Sequence, residues 1–121
     1  MDVKKPEIFI AKADNSEQFQ TALYGIEEES IPFREIDDQD IADLSTMSTV
    51  EKAYQAALAS QLGVGLAYDN EFAYLHQKNL PADEPLFKVA LSNQTNINRL
   101  GTNAARLVKG IPFKVITEEG E

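Results

Sequence analysis

The sequence contains no cysteine and a single histidine, His76. The first absence excludes disulfides, thiolate metal sites and cysteine nucleophiles. The second leaves no histidine cluster for zinc and no pair of imidazoles to share acid and base roles. Basic residues are also scarce, with 11 Lys and Arg against 20 Asp and Glu and a net charge of -9. General nucleic-acid binding is therefore disfavoured, because neutralising phosphates requires a basic surplus on at least one face. No apolar run approaches the roughly 18 residues of a membrane span. The stretch from Met1 to Glu7 lacks the basic start and apolar run of a signal peptide, so a soluble, cytoplasmic protein is expected. Catalytic loops are missing too. There is no GxxxxGK[ST] phosphate cradle, Gly63-Val64-Gly65 lacks the third glycine and helix start of a dinucleotide fingerprint, and no serine sits in a GxSxG elbow. These absences predict a non-catalytic chain that binds no cofactor by itself.

What remains is enough for one folded unit. With 121 residues, 43% of them hydrophobic, the chain supports one core and no second, so a single domain over residues 1–121 is expected. Glu7 to Ala11 is β-branched and aromatic and ends at Asp14-Asn15-Ser16, which favour turns and helix caps. Phe19, Ala22, Leu23 and Ile26 then fall at helical spacing, and Pro32 to Ile36 reads as a second strand with proline at its first position. The acidic stretch 37–48 has little periodicity and reads as a loop. Ser48 and Glu51 have capping-box spacing for a second helix, whose buried face is expected from Val50, Ala53, Tyr54, Ala57 and Leu58. Gly63 to Tyr68 and Phe72 to Leu75 flank Asp69-Asn70-Glu71 as a hairpin, and Leu86 to Leu91 reads as a further strand after the Leu80 to Pro85 turn. Ile97, Leu100, Ala104 and Leu107 define a last helix stopped by Gly110 and Pro112, and the tail 117–121 is expected to be flexible. The order implies an α/β three-layer sandwich: a small, mostly parallel sheet with one antiparallel hairpin strand and helices on its faces.

Three features carry chemistry. Glu27-Glu28-Glu29 closes the first helix. Successive helical residues point about 100° apart, so these carboxylates cannot all line one site; the triplet reads as a solvated helix end, or as one carboxylate donating a single ligand to a hard cation shared with other chains. Negative charge at a helix C-terminus is also unfavourable against the dipole, which calls for something to offset it. Charge is unevenly spread: residues 27–43 hold eight acids and one base, whereas 88–114 hold five bases and no acid. That split reads either as ordinary solvated surface or as a two-ended surface that orients protein partners. Arg106 and Lys109, three apart, share one helix face and are placed to meet acidic groups.

Three blocks, in order, resemble one family. They are Gly25 to Arg34, Lys78 to Ala82 with Pro85-Leu86-Phe87, and Gly101 to Phe113. Together they resemble the small subunit of diol and glycerol dehydratase reactivating factors, with similarity from about Ile8 to Phe113 that is weakest across Asp37 to Ser48. Ser30 stands where that family usually has glycine. The resemblance implies a fold similar to the dehydratase medium subunit, which is anticodon-binding-domain-like, and a large Hsp70-like ATPase subunit as partner in a heterotetramer. It further implies a chaperone-like role in which this subunit exchanges with the dehydratase medium subunit, so that damaged cobalamin leaves inactivated enzyme. By the same resemblance, ATP or ADP sits on the large subunit, and Glu28 is a single ligand to a Mg or Ca ion held mainly by that subunit. Glu28, Arg106 and Lys109 are the expected partner interface. The competing readings are a medium-subunit-like structural and coenzyme-binding component of the dehydratase, and a free-standing small-ligand domain. The cytoplasm is the expected location, with a bacterial microcompartment as the alternative.

Overall fold

The computed structural model describes residues 5–116. Among these residues five strands and three α-helices follow in the order β1 Ile8–Ala11, α1 Ser16–Glu28, β2 Phe33–Ile36, α2 Thr49–Ala59, β3 Val64–Tyr68, β4 Phe72–Gln77, β5 Phe87–Ala90 and α3 Gln94–Lys109. The strands form one sheet in the order β2-β1-β3-β4-β5. β1 pairs in parallel with both β2 and β3, whereas β4 pairs antiparallel with β3 and with β5. Only β4 therefore opposes the common strand direction, as expected for a mostly parallel sheet with one reversed hairpin strand. The tail at 117–121 lies outside the described residues.

Side-chain alternation along each strand builds two cores, because neighbouring residues point to opposite sheet faces. Ile8, Ile10, Val64, Leu66 and Leu75 meet Phe19, Ile26, Ile97 and Leu100 of α1 and α3 on one face. Phe9, Ala11 and Ala67 meet Ala53 and Ala56 of α2 on the other, together with Leu44 from a short 3-10 turn. Central strands β1 and β3 are buried on both faces. No helix of the described residues is long and apolar enough to cross a membrane.

The second helix corrects one expectation. Its buried face is Ala53, Ala56 and Ala57, while Leu58 is 47% exposed. Leu58 lies five residues from Ala53, about 140° around the helix from it, so it cannot share that face. Small residues are demanded there because α2 lies directly on Gly65 of β3, where a Cβ would stand 2.5 Å from the Ala53 carbonyl oxygen. The cap forms only in part: Ser48 accepts the Glu51 N–H, while the Glu51 carboxylate accepts from Gln55. The acidic loop is organised by its own carboxylates. Asp38 accepts from the backbone and hydroxyl of Ser45, and Asp40 accepts from the Asp37 N–H and from Arg34.

α1 and α3 cross closely. A Cβ on Gly25 would lie 2.8 Å from the Thr102 nitrogen, and one on Gly101 would lie 2.6 Å from the Ala22 carbonyl carbon. Only glycine permits that approach. After α3, Gly110 turns the chain with φ 71°, and the segment returns along the helix. Fully buried Asn103 holds both main-chain groups of Lys114, donating to its carbonyl and accepting its N–H. Arg99 and Arg106 donate to the carbonyls of Val115 and Pro112.

Candidate functional site

The close α1–α3 crossing brings the end of α1 beside the last turn of α3. α1 finishes at Glu28, Glu29 caps it, and Ser30 follows in the left-handed region with φ 64°. The three carboxylates part company there. Glu27 and Glu28 are exposed, whereas the Glu29 side chain is only 15% exposed. Its Oε2 accepts from Arg106 Nε at 3.2 Å, and its Oε1 accepts from Lys109 Nζ at 2.8 Å. The hydrogen bond from Lys109 holds the Glu29 carboxyl below its ordinary range; partial burial opposes this, and Arg106 reinforces it.

Arg106 and Lys109 thus share one face, as their spacing predicted, but their charged ends meet Glu29 of the same chain. The sign split along the sequence is partly internal: its acidic and basic halves are joined across 77 residues by this cluster. It also supplies the offset that a carboxylate at the negative end of α1 requires. Glu28 is not drawn into the cluster. Among the described residues it has no hydrogen-bond or ion-pair partner, and it faces solvent.

An exposed carboxylate without internal partners suits donation of one oxygen to a hard cation, and no more than that. Among the described residues no group of three or more His, Cys, Asp or Glu side chains is placed to hold a metal ion. Among the described residues, Glu28 therefore has no companion side chains with which to form a cation site. His76 does not compete for such a role. It is fully buried against Tyr54, accepts the Gln77 N–H at Nδ1 and donates from Nε2 to the Ala82 carbonyl, so it pins the turn after β4. An open groove of about 610 Å³ beside β5 has Lys88 as its one ionisable lining residue among the described residues.

The sequence reading missed Glu29, Gly25 and the dual bond of Asn103. For Glu29 a signal existed: if three adjacent carboxylates fan out by about 100° each, one faces the neighbouring helix, and the Arg106/Lys109 pair was its available counterpart.

Comparison with known proteins separates the two dehydratase-related readings. The family model for the dehydratase medium subunit matches residues 5–114. Among curated proteins, the diol dehydratase-reactivating factor small subunit of Klebsiella michiganensis is 42% identical over 116 residues, spanning 94% of this chain and 88% of that protein. The chain belongs to the small-subunit family of dehydratase-reactivating factors. The propanediol dehydratase-reactivating factor small subunit of Salmonella typhimurium is similar at 43% identity, across 84% of this chain and 83% of that one. In the solved structure of diol dehydratase-reactivating factor complexed with ADP and Mg²⁺, a chain 42% identical superposes with TM-score 0.82, covering 93% of this chain and all of its own length. A glycerol dehydratase reactivase chain matches at 25% identity and TM-score 0.73, over 93% of this chain and 98% of that one. Near-complete coverage on both sides places the small-subunit relatives above a medium-subunit component. The medium-subunit family match agrees with the fold similarity expected from the sequence.

Proposed function

We propose that this chain is the non-catalytic, exchangeable small subunit of a reactivating factor for a B12-dependent diol or glycerol dehydratase. The observation that carries the reading is end-to-end similarity to reactivating-factor small subunits within a family model named for the dehydratase medium subunit. A subunit that shares the fold of a dehydratase component can take that component's place on a common partner. In this scheme a large ATPase subunit binds this chain in a heterotetramer, then releases it and accepts the dehydratase medium subunit, which opens the enzyme for damaged cobalamin to leave. ATP or ADP belongs to the large subunit.

Glu28 is the residue through which we connect this chain to its partner. Its free, outward carboxylate is suited to complete the shell of a Mg or Ca ion held by the large subunit, and such an ion would supply a charged bridge between the two chains. Arg106 and Lys109, whose charged ends are paired with Glu29, are assigned to the same interface. The large subunit's complex with this chain tests the proposal. Glu28→Gln should weaken the complex in a Mg²⁺-dependent manner, measured by calorimetry with and without Mg²⁺, and leave the circular-dichroism melt of the isolated chain in place. Equal affinity for both forms at every Mg²⁺ concentration would remove Glu28 from the interface.

A further inference from the structure

We propose that the open edge of β5 accepts an extended segment of a protein partner as a sixth strand, one that carries a carboxylate on one face and apolar side chains on the other. The inference rests on the reading above, which makes the large ATPase subunit that partner. β5 ends the sheet, since it pairs with β4 alone. Leu91 donates to the Glu71 carbonyl at 2.9 Å, in register with the Val89–Ala73 pair. Antiparallel strands alternate bonded and non-bonded pairs, so Val89 turns its main-chain groups to β4 while those of Lys88 and Ala90 point away from the sheet. The Ala90 carbonyl accepts the Asn93 N–H. That leaves the Lys88 N–H, the Lys88 carbonyl and the Ala90 N–H without a partner among the described residues. Such a row of groups is what an added strand bonds to.

Side chains along this edge fall into two rows. Lys88 shares a face with Phe72, its ammonium 4.2 Å from the ring centroid. Phe87 and Val89 lie on the opposite face with Ile116, in or against the core under α1 and α3. Both rows line the groove of about 610 Å³. A strand laid into it alternates its side chains in the same way, so one row meets an ammonium and the other meets apolar carbon. Lys88 is exposed and takes part in none of the ion pairs of the described residues. A carboxylate is therefore its complement. Lysine on a sheet edge also deters pairing between identical strands, which disfavours a second copy of this chain. The opposite edge differs: β2 presents Arg34 and Glu35 in succession, and Arg34 is already bridged to Glu7 and Asp40.

The test is hydrogen exchange of the full chain, free and in complex with the large ATPase subunit, together with the affinities of Ala90→Pro and Lys88→Glu. Ala90→Pro removes an outward N–H and no ladder bond, a place where edge strands tolerate proline, and thermal melts check that it folds. Lys88→Glu reverses the charge and keeps every main-chain group. Complex formation should slow exchange at the Lys88 and Ala90 amides by about 10-fold or more, and each variant should weaken the complex by about 10-fold. A complex in which both amides exchange as in the free chain, or which binds either folded variant as tightly as wild type, would overturn the strand addition and leave the proposed function standing. Absence of any complex with the wild-type chain would remove the proposed function, and the inference with it. Slow exchange at these amides in the free chain would also overturn the inference. Slowing that grows with protein concentration would assign the edge to a second copy, and slowing lost in a chain ending at Ile116 would assign it to residues 117–121.

Discussion

Replacing Gly101 with alanine sets two opposing effects against each other. In a helix interior the change should stabilise by about 1 kcal/mol, because alanine is the better helix former. Here the new Cβ would stand 2.6 Å from the Ala22 carbonyl carbon and 2.9 Å from its Cα, where ordinary contact begins at 3.4 Å. Those are backbone atoms, and the Ala22 carbonyl oxygen lies closer still, so no side-chain rotation relieves the clash and α1 must withdraw by more than about 1 Å. A gap of about 0.5–1 Å forfeits a quarter to a half of the attraction between facing atoms, and it would open between Ala22, Leu23 and Ile26 and their partners Ile97 and Leu100. Overpacking of this kind costs up to about 3 kcal/mol. Net destabilisation of about 2 kcal/mol follows, or a melting temperature lower by about 8 °C. Urea unfolding and thermal melts of Gly101→Ala measure it. A variant as stable as wild type, or more so, would refute the close crossing that places the end of α1 against α3.

Ser30→Gly should stabilise the chain by about 1 kcal/mol and raise the melting temperature by about 4 °C, because φ 64° is strained for serine and free for glycine; an unchanged or lower melt would argue against that conformation. Asn103→Ala leaves the main-chain groups of Lys114 without their buried partner and should cost about 2 kcal/mol, with faster amide exchange at Lys114 as its local signature. Asp38 is held below its ordinary pKa by the Ser45 hydroxyl and N–H, and Asp40 by the Asp37 N–H and Arg34. Because folded values lie below the unfolded value of about 3.9, their contribution is present above that pH and is lost as pH falls through the folded values. Melts from pH 7 down to pH 2 should therefore decline more gently below pH 4 in Asp38→Asn than in wild type, and parallel curves would contradict this role for the loop.

The element order was legible because each segment carried its own punctuation. Ser16 through Ile26, Ser48 with Glu51, and Gly110 with Pro112 fixed the helices, and β-branched runs between turn residues fixed the strands. Packing faces were harder to read. Leu58 was assigned inward on hydrophobicity, but the deciding residue was Gly65, on a strand that only the folded sheet places beneath α2. The site divided in the same way. Glu28 came from resemblance to a family; the structure shows it exposed, with no partner among the described residues. Glu29 depended on a contact with residues 77 and 80 positions away, which local spacing does not encode. The left-handed conformation of Ser30 is one that glycine adopts without strain.

The most direct measurement is recovery of activity in a dehydratase inactivated by glycerol, supplied with ATP, Mg²⁺ and fresh adenosylcobalamin, and with the large ATPase subunit, this chain, or both. The account predicts recovery only when both are present, with this chain found free of the large subunit while the dehydratase medium subunit occupies its place. Full recovery with the large subunit alone, or recovery while this chain stays bound to it, would contradict the exchange.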